Sequence, residues 1–282
     1  MPHGRSTRGI APQVTFAAAI AGLGVLGLAT GHFASVWQPV PRSFPGREAL
    51  AYVNGILMCA LGMGLLLKRT RARASLVLTL YLASWLLLHV PIVVRSPTIE
   101  NNWAGLAENS TLVTGALALF ASSADASCVR LRALAGVSGI RLARIIFVLA
   151  LPLMSLDELL YARATASYIP GWIPAHLFFA CFTGAAQMAT AGAVGFGFLP
   201  RLATMLQAAM FAAFTLIVWG TRILQGPTRI TVTAFLISSA LTGATGLIAQ
   251  TYRDSAWIAL PVLARRPAAR KLSTAEEDSS AR

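Results

Sequence analysis

Apolar residues in this chain fall into eight long runs, at about 13–34, 50–67, 75–95, 103–122, 142–162, 174–196, 202–223 and 231–250. Short polar or proline-rich breaks separate them. Within a run, apolar and polar positions do not alternate as the strands of a membrane barrel require. A bilayer span takes roughly 20 mostly apolar residues. A helix satisfies its backbone hydrogen bonds inside its own segment. The pattern therefore predicts an all-α, polytopic membrane protein with eight transmembrane helices.

The runs repeat. Pro41 and Pro45 bracket a corner that returns as Pro170, Trp172 and Pro174. Gly55 and Gly184 each stand ten residues after the last of these prolines, and Arg73 and Arg201 each precede the next apolar run. The offset stays between 128 and 130 residues. This predicts two tandem four-helix bundles, with repeat one at 13–122 and repeat two at 142–250. A basic leader covers 1–12, a linker 123–141 and a basic, partly disordered tail 251–282. An even number of spans per repeat inserts both in the same orientation, as in the parallel-repeat transporters. Two prolines four residues apart make a stiff, extended corner. Trp37, Phe44, Tyr168 and Trp172 lie beside these corners, and aromatic rings favour the headgroup level.

Composition sharpens the picture. The chain has 282 residues, 56% hydrophobic and only 12% charged, with mean hydropathy +0.67. Its net charge of +13 would suggest nucleic acid in a soluble protein. Here the basic residues divide by side. The leader, the 68–73 turn, the linker, Arg201 and the tail hold most of them, leaving Arg42, Arg47, Arg95, Arg163, Arg222 and Arg229 for the other side. The positive-inside rule accounts for this division without a nucleic-acid partner. It predicts a bacterial inner-membrane protein with both termini cytoplasmic and the lipid bilayer as its main partner. The first run is too long for a signal-peptide core and is read as a retained span. Cys59, Cys128 and Cys181 form no C-x-x-C pair, which argues against a thiol relay or a thiolate metal site.

Ionisable residues inside a bilayer are costly and mark functional candidates. His32, His89 and Glu108 fall on three runs of repeat one, all in the half opposite the basic turns. A carboxylate beside imidazole suits proton transfer or binding of a polar head such as a quinone carbonyl. A satisfied polar cluster near the headgroups fits the same residues. Two imidazoles on non-adjacent runs make only a weak case for haem. In repeat two, Asp157, Glu158 and Arg222 lie at similar depth and are read as a structural ion pair. No nucleotide loop, catalytic serine motif or zinc motif is visible, so no catalytic or metal residue is assigned.

Several motifs resemble the DoxX/DoxD-like membrane proteins. Tyr168 to Phe179, followed by Phe182-Thr183-Gly184, is similar to that family's P-x-W-I-P entry and F-T-G turn. Gly31-His32-Phe33, Leu88-His89-Val90-Pro91 and the Trp103–Glu108 spacing are similar to its other features, and together they cover most of 14–245. Repeat two lacks both histidines and the Trp–Glu pair, and the doubled form departs from the family's single bundle. The resemblance implies four-helix units, and for DoxD-type members thiosulfate oxidation with quinone as acceptor. Three functions stay open. One is binding of a quinone or other small lipophilic partner at the outer half of the bilayer, with no other cofactor evident. Another is small-solute or proton-coupled transport. The third is a non-catalytic assembly subunit with a membrane-complex partner.

Overall fold

The structure, a computed structural model, describes residues 9–34, 36–124 and 133–257. The leader arginines Arg5 and Arg8, the linker residue Cys128 and the tail from 258 onward lie outside the described residues. Every regular element among the described residues is helical. In chain order these are α1 (Ala11–Thr30), α2 (Arg47–Leu66), α3 (Arg71–Arg95), α4 (Glu100–Ser123), α5 (Gly136–Leu160), a short α6 (Ala162–Tyr168) and α7 (His176–Phe196). A composite helix follows: α8 (Pro200–Ala213), a π-helical stretch (Phe214–Gly220) and α9 (Thr221–Gln225). It ends with α10 (Arg229–Gln250).

Seven of these helical runs are long and apolar enough to cross a bilayer, counting Pro200–Gln225 as one. Large apolar side chains such as Val53, Ile56, Leu87, Val94, Leu149, Phe196 and Leu216 are exposed on their outer faces. In water that surface would be an aggregation liability; in lipid it is the ordinary solvent face. The chain is thus a multi-pass helical membrane protein. α4 is not among the seven, because its first turns carry polar residues such as Asn101, Asn102 and Asn109. It is nevertheless continuously buried from Thr111 to Ala121.

That burial gives α4 a central place. It packs against α3, α5 and α10, while α1 packs chiefly on α2 and α10. The expectation of two self-contained four-helix bundles gives way to a shared core. α4 and α10 meet in the middle, and each half closes its ring on the other's central helix. Small residues allow this. A Cβ on Gly115 would sit 2.5 Å from the Ala244 Cβ, and one on Gly24 would sit 2.6 Å from the Cys59 backbone nitrogen. Van der Waals packing through small residues is the main attraction between helices in lipid, where burial offers little gain.

At the end where α1 begins, called the near end here, the first and last described turns meet. Gln250 donates to the Gly9 carbonyl, and Gln13 donates to the Leu65 carbonyl at 2.7 Å. Residues 251–257 form turns. Arg144 reaches the Thr251 hydroxyl at 2.9 Å and lies over the Tyr252 ring, while Arg201 covers the Trp257 ring at 3.9 Å.

Candidate functional site

The far end, opposite these contacts, contains an internal acidic cavity of about 100 Å³. α4 and α5 run antiparallel, with Gly139 of α5 facing Ala121 of α4 at the near end. Asp157 and Glu158, in the last turns of α5, therefore come level with Glu108 in the first half of α4. All three carboxyl-bearing side chains line the cavity. Glu108 is close enough to Asp157 and Glu158 for their charges to repel. The composite helix supplies Phe211, Phe214 and Trp219, and α10 supplies Ile237 and Ser238. No Lys, Arg or His among the described residues lines the space. Nor are three or more His, Cys, Asp and Glu among the described residues placed to hold a metal ion.

Glu158 is held from below. Its Oε2 accepts from the Thr183 hydroxyl at 2.8 Å, and its Oε1 accepts from Gln187 Nε2 at 2.7 Å. Glu108 is held from above, where the Trp37 indole N–H donates to its Oε2. Trp37 comes from the link between α1 and α2, and the sequence had suggested a headgroup-level ring there. Instead it points inward because its backbone is pinned. Asn109 Nδ2 donates to the Trp37 carbonyl at 2.9 Å, and the preceding Val36 carbonyl lies 3.0 Å from His89 Nε2. Gln38 then enters a buried network, donating to the Tyr81 hydroxyl at 2.6 Å, while Tyr81 donates to Asn54 Oδ1.

The residues expected to cluster from sequence take up different places. Of His32, His89 and Glu108, only Glu108 lines the cavity. His32 is exposed at the end of α1. His89 is 1% exposed, and its ring nitrogens face the carbonyls of Trp85 (2.9 Å) and Val36. It buttresses the loop that carries Trp37. Of the ion pair expected among Asp157, Glu158 and Arg222, no Glu158–Arg222 contact is present among the described residues. Arg222 donates to the Ser167 carbonyl at 2.9 Å and to the Tyr168 carbonyl, with the Tyr168 ring 5.3 Å from its guanidinium. Asp157 and Glu158 join Glu108 instead.

The corner prolines take up different roles. Pro41 and Pro45 lie in turns before α2, with Gly46 in the left-handed region at φ 67° where the helix begins. Pro170 and Pro174 flank an exposed Trp172, and the Pro170 carbonyl lies 3.1 Å from His176 Nε2. Sequence reasoning missed Trp37, Trp219, Thr183 and Gln187. Only the inward side of each helix, fixed by packing, identifies them.

The stretch Phe214–Gly220 widens to π-helical winding just where Phe214 and Trp219 reach the cavity. Such single-turn widenings recur at functional sites. Comparison with family models, with curated proteins and with solved structures finds no match to this chain.

Proposed function

We propose that this chain is a proton-coupled membrane transporter whose proton site is the cavity shared by Glu108, Asp157 and Glu158. The observation that carries the reading is three carboxyl groups around one cavity with no basic side chain among its described lining residues. Charged carboxylates gathered inside a bilayer are costly. Such a site holds protons. Carboxylates in this setting mark proton relays in pumps and transporters. The size of the cavity supports the same choice, since about 100 Å³ falls well short of the roughly 300–1,000 Å³ typical of pockets for larger ligands. A quinone head fits less well than protons and water.

The finer architecture belongs to the same proposal. α4 acts as an eighth span, tolerated because Asn109, Thr111 and Thr114 are buried in the protein interior. The chain is a doubled four-helix unit of DoxX-like type, on the strength of the motifs around His32, His89 and Trp172. Its near end faces the cytoplasm of a bacterial inner membrane, on the strength of the basic residues at 68–73, 141–144 and 201.

Proteoliposomes loaded with a pH-sensitive dye test the reading. Under an imposed pH gradient the wild-type chain collapses the gradient faster than protein-free vesicles, and Glu158→Gln and Glu108→Gln reduce that rate at least tenfold. A wild-type rate equal to empty vesicles overturns transport. Full activity in both variants overturns the site.

A further inference from the structure

Directly beneath the cavity, two glutamines sit in the protein interior with side-chain atoms that no group among the described residues satisfies. Gln187 of α7 is 0% exposed. Its Nε2 is engaged with Glu158, but its Oε1 has no partner. Gln207 of α8 is 2% exposed, and neither its Nε2 nor its Oε1 has a partner. Gln207 lies one turn from Phe211 on the same buried face, and Phe211 lines the cavity. Both glutamines are near mid-depth. Counting at 1.5 Å per residue from the hairpin that joins α7 and α8, Gln187 stands about 15 Å and Gln207 about 12 Å from the near end.

The next turn toward the near end repeats the polarity. Thr190 of α7 and Thr204 of α8 are both buried, each bonded back to its own helix at Ala186 and Pro200. α7 packs firmly on α5 but touches α8 more lightly, so this seam is the looser side of α7. Polar atoms inside a bilayer that lack protein partners are retained when they bind water, which needs two to four polar neighbours.

We infer that water occupies the seam between α7 and α8, held by the side-chain amides of Gln187 and Gln207, and joins the carboxylate cavity to the near end. This rests on the proton-transport reading and supplies its second access route. A proton leaving the Glu158 carboxyl group passes to the adjacent water while the last water in the row releases one at the near end. The charge moves and the amides are unchanged. Gln187 and Gln207 are positioning residues. They order the water and do not titrate.

The test uses the full chain in liposomes with isotope-labelled glutamine and water-edited solid-state NMR. Polarisation transferred from water reaches the side-chain amides of Gln187 and Gln207 nearly as fast as that of exposed Gln225, and at least threefold faster than that of Gln38, which is buried in a satisfied network. Build-up at Gln187 and Gln207 as slow as at Gln38 overturns the inference. In the flux assay, Gln207→Leu slows proton movement at least tenfold and Gln207→Asn restores part of it, a rescue that a purely structural role does not give. Where the wild-type chain carries flux, an equal rate in Gln207→Leu also overturns it. The two readings fail separately: wet amides without wild-type flux remove the transport proposal and leave the hydrated seam, whereas Glu158-dependent flux with dry amides removes the seam alone.

Discussion

In the first half of the chain, the proline-rich link between α1 and α2 turns into the helices. Trp37 reaches Glu108 and Gln38 is buried among Asn54, Tyr81 and Met58. In the second half, the link between α6 and α7 stays outside. Trp172 is 69% exposed, and Arg222 ties Ser167 and Tyr168 to α9. The polar interiors differ in the same sense. Gln38, Asn54 and Tyr81 satisfy one another. Gln187 and Gln207 keep open hydrogen-bonding positions. The first corner and the Gln38 network are closed, the second corner and the glutamines below it are open, and the acidic cavity lies where the two halves meet. A satisfied buried network makes its surroundings rigid, while an unsatisfied one invites water or movement. On the proposed transport reading, the asymmetry gives holding to the first half and passage to the second.

The largest effect that tests this contrast is at the two corner tryptophans. Trp37→Ala leaves a void above Glu108 and removes its indole donor. Truncating a large ring inside packed structure costs about 3 kcal/mol. Trp172→Ala removes an exposed ring and changes stability by no more than about 0.5 kcal/mol. Thermal unfolding in one detergent compares them. Equal losses would mean that the first corner does not seal the cavity.

The next effect is a difference in sign. Tyr81→Phe removes the hydroxyl that joins Gln38 to Asn54, leaving buried partners open at a cost of about 1–3 kcal/mol. Gln207→Leu removes amide atoms that have no protein partner, and it is neutral or stabilising. Denaturation midpoints of the two variants, measured side by side, should move apart. Destabilisation by Gln207→Leu as large as that by Tyr81→Phe would contradict the division into a sealed and an open half.

Much of the helical plan was legible because the bilayer imposes a single length and a single polarity on each span. The runs ending near Thr30, Leu66 and Gln250 declare themselves by apolar composition alone. α4 was legible as a run, but its central position was not. Glu108 looks like a reason to leave the membrane until α5 and α10 are seen to build the cavity that it lines. The acids of the site were all visible as costly residues at one depth, yet their grouping was not. Depth follows from counting along a helix, whereas facing direction depends on which neighbour a helix chooses. α4 chose α5 and α10, so Glu108 turned toward Asp157 and Glu158, while His89 turned to the loop at Val36. Trp37 was illegible for another reason. It lies in a link without periodicity, and the contacts that hold it inward come from Asn109 and His89, both distant in sequence.

The smallest expected effect concerns Arg222, which lies within the second corner. Its bonds go to the backbone carbonyls of Ser167 and Tyr168 at an exposed site, where water competes for the same groups. Arg222→Gln should therefore cost no more than about 1 kcal/mol, the range of exposed charged contacts, and should leave proton flux within twofold of wild type. The alternative account of this arginine, as counter-charge to Glu158, makes the opposite claim. Removing the partner of a buried charge costs about 3–5 kcal/mol and would disturb the cavity directly. Measuring unfolding and flux on this one variant decides between them. A loss in the larger range would return Arg222 to the acidic site and make the second half as sealed as the first. A small loss keeps Arg222 as a tie on an outer corner, with Glu158 answering to Thr183, Gln187 and the protons it carries.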